Sequence, residues 1–284
     1  MKKVTKVLSV VLALLMVVGC FAACGKTEKV TAKVINIELT EEQYAFGVDK
    51  TQPELLEKVN AFIAEIKSNG KMDEIFNNYF GDGTPVAVTS AAEDSSKDQL
   101  LVATNAEFAP FEYTEGDQYL GIDMEIAKLL ADYLGKELVI KNMDFDAVCL
   151  SVGQQKCDIA MAGLTVDPDR EEFVTFTDSY YQASQKLIVR SDDTKFDNCT
   201  TADDVLNTLK TLDSNTTVGF QTGTTGQQYT ENEGSYSENG LKVTAKGYSN
   251  GVLAVQDMLN GNLNYVIIDG APADAITASI NGTK

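Results

Sequence analysis

The chain has 284 residues, of which 44% are hydrophobic and five are proline, a composition typical of a folded protein rather than a disordered one. Its formal net charge of -19 argues against nucleic acid as a partner, because the phosphates would require lysine and arginine. The sequence contains no histidine, which excludes histidine-dependent catalytic triads and typical zinc sites. We therefore expect no metal and no cofactor.

The first 24 residues have the pattern of a bacterial lipoprotein signal peptide. Three lysines precede an apolar run over residues 7–18, which is too short to span a bilayer comfortably as a mature helix. Small residues then lead to Cys20 and Cys24, each of which fits a lipoprotein box. We favour lipidation of Cys24, because a polar segment follows it, although Cys20 has the better aliphatic first position. An ordinary cleaved signal is the alternative. Both kinds of signal predict a location outside the cytoplasm, and lipidation would in addition hold the protein at the membrane.

The next part of the chain contains predicted strands and helices followed by a linker. The predicted elements, in order, are strands over residues 34–39 and 44–48, a helix that begins near Pro53 and is ended by Gly70, and a shorter helix that ends at Phe80. These predictions rest on apolar alternation for the strands and on helical spacing of apolar residues for the helices. Residues 81–98 are small and polar without periodicity, which is typical of a linker.

From residue 100 onward, predicted strands alternate with predicted helices. The strands are residues 100–103, 138–140, 159–161, 186–189, 217–220 and 265–268. Asp123 is predicted to cap the helix that follows the first of these strands, and Thr201 is predicted to open a capping box. Such alternation indicates an α/β fold with helices on both faces of its sheets.

Three polar residues follow predicted strand ends, where ligands bind in open α/β sheets. Arg170 offers a planar fork of donors that suits a carboxylate, Asp269 is able to receive an ammonium group, and Thr224 lies in a glycine-rich loop. Taken singly, each has an ordinary explanation, which is a solvated arginine, a helix N-cap or a turn. Taken together, they complement a zwitterion.

Ordered motifs extend this pattern over most of the chain. They are residues 103–112 (ATNAEFAPFE), 121–123 (GID), 143–146 (MDFD), 158–170 (DIAMAGLTVDPDR), 176–181 (FTDSYY) and 221–225 (QTGTT), together with Asp269. By these motifs the chain resembles the amino-acid-binding proteins of bacterial ABC importers, which are family 3 extracellular solute-binding proteins. The resemblance implies an α/β, two-lobed periplasmic-binding-protein fold of type II, whose lobes are joined by a two-strand hinge and close on one amino acid.

The resemblance also implies roles for individual residues. Arg170 would hold the α-carboxylate, aided by the Thr165 hydroxyl and the Thr225 backbone. Asp269 and the Gly163 carbonyl would hold the α-ammonium group. The remaining expected ligand contacts are Phe108 and Phe145 as aromatic walls, Asn105 and Gln221 near the ligand side chain, and Ala162 and Thr224.

The residues near the ligand side chain give an expectation about its chemistry. Asn105 stands where binders of basic amino acids tend to carry aspartate, so we expect a polar, uncharged amino acid, with glutamine as the first candidate. Gln221 replaces a lysine seen in glutamine binders, and this departure leaves the choice open.

The order of the elements departs from the family's pattern, because elements that usually end such chains come first here. We interpret this order as a circular permutation in which residues 81–98 bridge the usual termini, which is reasonable because the termini of compact domains often lie close together. A fragment of tandem copies, or a gene-assembly artefact, is the alternative. The predicted organisation is a signal peptide over residues 1–24, a tether with a lobe 2 strand and hinge over 25–43, lobe 1 over 44–187 and lobe 2 over 188–284.

These observations predict a monomeric, non-enzymatic lipoprotein that captures an amino acid and delivers it to an ABC permease. Two other functions remain open. A sensor subunit of a signalling receptor would use the same ligand chemistry, and a dehydratase on this fold would need an acid at the cleft, for which Glu107 is the nearby candidate.

Overall fold

The computed structural model describes residues 30–283. Its strands are β1 (Ala32–Ile35), β2 (Glu42–Tyr44), β3 (Gly47–Asp49), β4 (Gln99–Thr104), β5 (Glu107–Phe108), β6 (Glu112–Glu115), β7 (Gln118–Leu120), β8 (Glu137–Asn142), β9 (Ile159–Ala160), β10 (Val174–Phe176), β11 (Tyr181–Ala183), β12 (Gln185–Arg190), β13 (Thr217–Gln221), β14 (Thr244–Tyr248) and β15 (Tyr265–Asp269). Its helices are α1 (Pro53–Ser68), α2 (Lys71–Phe80), α3 (Ile122–Leu134), α4 (Phe145–Gly153), α5 (Ala202–Lys210), α6 (Thr225–Glu231), α7 (Gly251–Leu259) and α8 (Gly270–Asn281). Short 3-10 turns lie at Arg170–Glu172 and Gly234–Tyr236.

Two five-stranded sheets form the two lobes. Lobe 1 is built on the sheet with strand order β10-β3-β9-β4-β8, and lobe 2 on the sheet with order β1-β12-β15-β13-β14. In lobe 1, β4 runs parallel to β8 and β9, whereas β3 is antiparallel to β9 and β10. In lobe 2, β13 runs parallel to β14 and β15, whereas β12 is antiparallel to β1 and β15. Both lobes are therefore mixed α/β layers.

The chain passes between the lobes through a two-stranded antiparallel ladder. In this ladder β2 pairs with β11, with Tyr44 opposite Tyr181. On one strand the chain runs from β1 in lobe 2 to β3 in lobe 1, and on the other it returns from β10 in lobe 1 to β12 in lobe 2. The N-terminal strands thus contribute to both sheets.

Helix packing follows the sequence pattern more closely than the helix starts do. The apolar face of α1 is buried through Leu55, Val59, Phe62, Ile63 and Ile66. The Thr201 capping box is confirmed, since its hydroxyl accepts from the Asp204 N–H while the Asp204 carboxylate accepts from the Thr201 N–H.

The prediction that Asp123 caps a helix is wrong. The N-cap of α3 is Gly121, so Asp123 lies inside the first turn. Its carboxylate accepts hydrogen bonds from the Gly163 N–H (2.9 Å) and the Tyr180 hydroxyl (2.6 Å). These partners lie in the loop after β9 and just before β11, so the side chain joins distant segments instead of satisfying the helix terminus.

Residues 81–98 have no regular strand or helix and include a single bridge between Val88 and Tyr119. The predicted signal peptide and both lipidation candidates, Cys20 and Cys24, lie outside the described residues. Within residues 30–283, no helix combines the length and apolar character that a membrane span requires.

Candidate functional site

Arg170 lies between the two lobes, in the 3-10 turn that follows β9. Its Nη1 donates to the carbonyl oxygen of Thr165 (2.7 Å) in lobe 1, and its Nη2 donates to the carbonyl oxygen of Gly223 (3.2 Å) in lobe 2. Its guanidinium group also lies over the Phe145 ring, 5.2 Å from the centroid. The planar donor fork is therefore fixed in orientation by groups from both lobes.

Asp269 ends β15 and is buried, with 5% of its surface exposed. Its Oδ1 accepts a hydrogen bond from the Tyr44 hydroxyl at 2.5 Å. Burial and the negative charge of Glu42 raise the pKa of Asp269 to about 7, and the Tyr44 hydroxyl opposes this shift. A cation placed beside this carboxylate would stabilise its ionised form and so lower the raised pKa.

Glu42 is a buried residue beside Thr165 that the sequence reasoning missed. Its carboxylate accepts hydrogen bonds from the Thr165 hydroxyl (2.6 Å), the Thr40 hydroxyl (2.6 Å) and the Gln185 side-chain amide (3.1 Å). Strand alternation offered a signal, because residues two apart share one face and Tyr44 is buried. The predicted strand began at residue 44, which left Glu42 outside it.

Asn105 and Gln221 meet across the lobes. The Asn105 Nδ2 donates to the Met143 carbonyl (2.8 Å), which fixes the amide's orientation because that carbonyl is only an acceptor. Asn105 Oδ1 therefore accepts from Gln221 Nε2 (2.9 Å). The Gln221 Oε1 is left buried without a hydrogen-bond partner among the described residues. Within residues 30–283, the Asn105–Gln221 pair therefore leaves one buried acceptor without a donor.

Gly163 allows close packing at the centre of lobe 1's contribution to the site. Its φ of +53° is in the left-handed region, and an added Cβ would lie 3.0 Å from the Phe108 ring and 3.3 Å from the Tyr44 ring. Its N–H donates to Asp123, whose pKa is raised to about 7 by burial, against the effect of the bonds from Gly163 and Tyr180. The backbone here approaches aromatic rings and a buried carboxylate at once.

The remaining predicted residues lie on the same interface. Thr224 and Thr225 are buried where α6 begins, and the Thr224 hydroxyl donates to the Gln221 carbonyl (2.7 Å) without capping the helix. Ala162 is buried in the loop after β9. The structure thus brings Arg170 together with Phe145, and Asn105 together with Gln221. Phe108 packs against Phe111, with ring centroids 6.2 Å apart.

Two cavities flank these contacts. One, of about 250 Å³, lies beside Arg170, Phe145 and Gly223. The other, of about 470 Å³, has Asp269, Tyr44 and Tyr181 in its wall. Among residues 30–283, no group of three or more potential metal ligands comes together.

Comparison with known proteins places the chain. Residues 100–270 match the family model of the bacterial extracellular solute-binding proteins, family 3. The chain belongs to this family. It is similar to the arginine-binding extracellular protein ArtP of Bacillus subtilis (strain 168), with 34% identity over 109 residues that cover 38% of this chain and 43% of that protein. The chain thus spans less than half the length of this curated relative.

Solved structures of the same kind have the same fold. The ancestral amino-acid-binding protein AncCDT-1, a precursor of cyclohexadienyl dehydratase, has a TM-score of 0.55 and 28% identity, and the match covers 65% of this chain and 75% of that one. An ancestral arginine-binding protein bound to glutamine has a TM-score of 0.54 and 29% identity, over 64% of this chain and 74% of that one. This family member therefore has the two-lobed, type II periplasmic-binding-protein fold.

Proposed function

We propose that this protein binds one free amino acid between its lobes and delivers it to an ABC importer without catalysing a reaction. The observation that carries the proposal is the position of Thr165 between the two charged ends of the site. Its carbonyl oxygen holds Arg170, and its hydroxyl holds Glu42, whose charge acts on Asp269. A cation suited to a carboxylate and a buried anion suited to an ammonium group are thus linked through Thr165 and Glu42.

The ligand is proposed to be polar and uncharged, with N–H donors on its side chain. The Asn105–Gln221 pair is neutral, so it would not compensate the desolvation of a charged side chain. The unpaired Gln221 Oε1 requires a donor. These features favour L-glutamine, and one structural neighbour is an ancestral arginine-binding protein bound to glutamine. L-Arginine is the alternative, because relatives are named for arginine binding.

A thermal-shift screen against the twenty amino acids tests this proposal. A ligand at 100 times its Kd stabilises the folded state by about 2.7 kcal/mol, so the cognate amino acid should give a distinct rise in melting temperature. We expect the largest rise with L-glutamine. A larger rise with L-arginine would correct the choice of ligand, and no rise with any amino acid would contradict the function.

The remaining parts of the proposal concern delivery. We propose that a lipid on Cys24, or on Cys20, anchors a monomer at the outer face of the membrane, where it meets its permease. Labelling with a fatty-acid analogue should be lost in Cys24→Ala and kept in Cys20→Ala. Uptake of the labelled amino acid that depends on this protein would support transport, whereas a signalling response without uptake would support the sensor function.

A dehydratase activity has less support. The Glu107 carboxylate, the candidate acid, is exposed and accepts a hydrogen bond from the Asn250 side-chain amide at 2.7 Å. This interaction occupies the carboxylate at the rim of the cleft. Incubation with prephenate or arogenate should yield no product.

We also propose that the element order is a circular permutation. Supporting this, β1 and β3 complete sheets formed mostly by later strands, and the family match begins only at residue 100. A chain in which residues 31–98 follow residue 284 should fold and bind the same amino acid with similar affinity. Loss of binding in that chain would contradict the permutation.

A further inference from the structure

We propose that Glu42 is a positioning residue of the amino-acid site, which orients the Thr165 hydroxyl so that it accepts a hydrogen bond from the ligand's α-ammonium group. This inference rests on the proposed function. Glu42 lies in β2, outside residues 100–270 that match the family. Glu42 therefore belongs to the segment that precedes the family match, and its hydrogen bond to Thr165 joins that segment to the proposed binding site.

The direction of one hydrogen bond carries the argument. A hydroxyl group has one proton to donate and two lone pairs with which to accept. Glu42 is buried and acts as an acceptor when ionised, so the Thr165 proton points to its Oε2 at 2.6 Å. The Thr165 oxygen retains only acceptor capacity toward a ligand. An ammonium group, which only donates, suits this oxygen, whereas a carboxylate, which only accepts, does not.

This assignment differs from the one that the family resemblance implies. There, the Thr165 hydroxyl would assist Arg170 at the α-carboxylate. In the structure, the carbonyl oxygen of Thr165 serves the arginine and its hydroxyl serves the glutamate. The hydroxyl therefore belongs to the ammonium end of the site, together with Asp269.

Glu42 is itself held in place by hydrogen bonds from two other segments of the chain. The Thr40 hydroxyl, just before β2, donates to the Glu42 carboxylate. The Gln185 side-chain amide also donates to it from β12, where Gln185 pairs with Asp269 of β15. With three hydrogen-bond donors around its carboxylate and only 4% of the residue exposed, the orientation of Glu42 is restricted. A restricted acceptor fixes the donor proton of Thr165 in turn.

The first test compares Glu42→Gln with Glu41→Gln, a matched control on the neighbouring exposed residue. The affinity for L-glutamine is measured by calorimetry. The affinity for 5-amino-5-oxopentanoic acid, which is L-glutamine without its α-amino group, is measured by its competition with L-glutamine. We expect Glu42→Gln to weaken L-glutamine binding about tenfold or more while leaving the weak binding of the analogue unchanged. Equal weakening of both compounds, or unchanged L-glutamine affinity, would overturn the inference. If L-arginine proves to be the ligand, the same comparison uses L-arginine and 5-guanidinopentanoic acid, which is L-arginine without its α-amino group.

A second test begins with variants of Thr165 alone, which do not depend on how Glu42→Gln folds. Thr165→Val, which removes the hydroxyl, should weaken L-glutamine binding as Glu42→Gln does, and Thr165→Ser should restore it. Combining Glu42→Gln with Thr165→Val should lose little beyond the larger single loss, because Glu42 acts through Thr165. Additive losses would overturn the inference. Absence of amino-acid binding by the unmodified protein would instead refute the proposed function.

Discussion

Arg170 is fixed at the lobe interface by the carbonyl oxygens of Thr165 and Gly223. Replacing it with alanine should weaken amino-acid binding at least about a hundredfold, because charge-assisted hydrogen bonds of roughly 1.5–3 kcal/mol each are lost. Calorimetric titration measures this change. Arg190→Ala is the matched control, since Arg190 forms an exposed pair with Asp192 away from the cleft. Equal affinities of the two variants would contradict the role of Arg170.

The raised pKa of Asp269 predicts a dependence of binding on pH. Burial and Glu42 raise this pKa from 3.8 to about 7, whereas a ligand ammonium group favours the ionised carboxylate. Binding near pH 6.5 should therefore release protons, and affinity should increase as the pH rises through 7. Titrations in two buffers of different ionisation enthalpy measure the release. Identical heats in both buffers would contradict this prediction.

The same pKa has a consequence for stability, whose sign is opposite to that of a usual ion-paired aspartate. Between 3.8, the ordinary value, and about 7, the folded protein holds a proton on Asp269 that the unfolded chain has lost. The contribution of Asp269 to the free energy of unfolding is therefore present at the acidic end of this interval and decreases as the pH rises. Ligand binding should reduce this loss.

The sequence placed Arg170 and Asp269 near strand ends, and their roles as ligand contacts stay predictions. Asp269 ends β15 and Arg170 lies in the turn after β9, and their opposite charges suggested that they complement a zwitterion. Glu42 and the true role of Asp123 were not predictable, because their partners are distant in sequence. Glu42 bonds Thr165, and Asp123 bonds Gly163 and Tyr180. Patterns within a short stretch of sequence do not predict hydrogen bonds between such distant residues.

At the scale of elements, the start of α3 requires a glycine. Gly121 has φ of +123°, and an added Cβ would lie 2.1 Å from the Phe111 carbonyl oxygen. Gly121→Ala should lower the free energy of unfolding by about 3 kcal/mol or more. Gly135→Ala, at the other end of α3, has a positive φ but open space and should cost only about 1 kcal/mol. Urea unfolding measures both, and equal losses would contradict the packing argument.

Helices were easier to predict than short strands. The α1 face is encoded by apolar residues at helical spacing within one segment. By contrast, the single strand predicted over residues 44–48 is two strands, since the chain changes partners there from β11 to β9 and β10. Those partners lie more than a hundred residues away, so alternation within the segment does not reveal the break.

At the scale of the whole molecule, direct hydrogen bonds join the two lobes across the cleft. The pairs are Asn105–Gln221, Arg170–Gly223, Asp167–Gln228 and Glu107–Asn250. Ligand contacts to both lobes supply the differential free energy that favours a closed state. Direct hydrogen bonds between the lobes should add to the free energy that favours the closed state.

The Glu107–Asn250 pair lies at the exposed rim of the cleft and gives a prediction about closure. Glu107→Ala should weaken amino-acid binding only about two- to fivefold, through faster dissociation, because an exposed hydrogen bond contributes roughly 0.5–1 kcal/mol. Stopped-flow measurement of the dissociation rate tests this. Glu115→Ala, another exposed glutamate of lobe 1, should leave the rate unchanged. An unaltered rate in Glu107→Ala would contradict the contribution of this pair to closure.

The fold class followed from the order of the motifs, and the family match agrees with it. The boundaries at residues 43, 187 and 188, and the permuted order, stay predictions. They depend on which strand completes which sheet, and sequence alternation alone does not specify pairing between β1 and β12.

The central claim is that a free amino acid lies between the lobes, with its charged groups on Arg170 and Asp269. A crystal structure of the protein grown with the amino acid that gives the largest thermal shift tests it most directly. We predict the α-carboxylate within hydrogen-bonding distance of Arg170 and the α-ammonium group within that distance of Asp269. An amino acid bound outside the cleft, or contacting only one lobe, would contradict the claim.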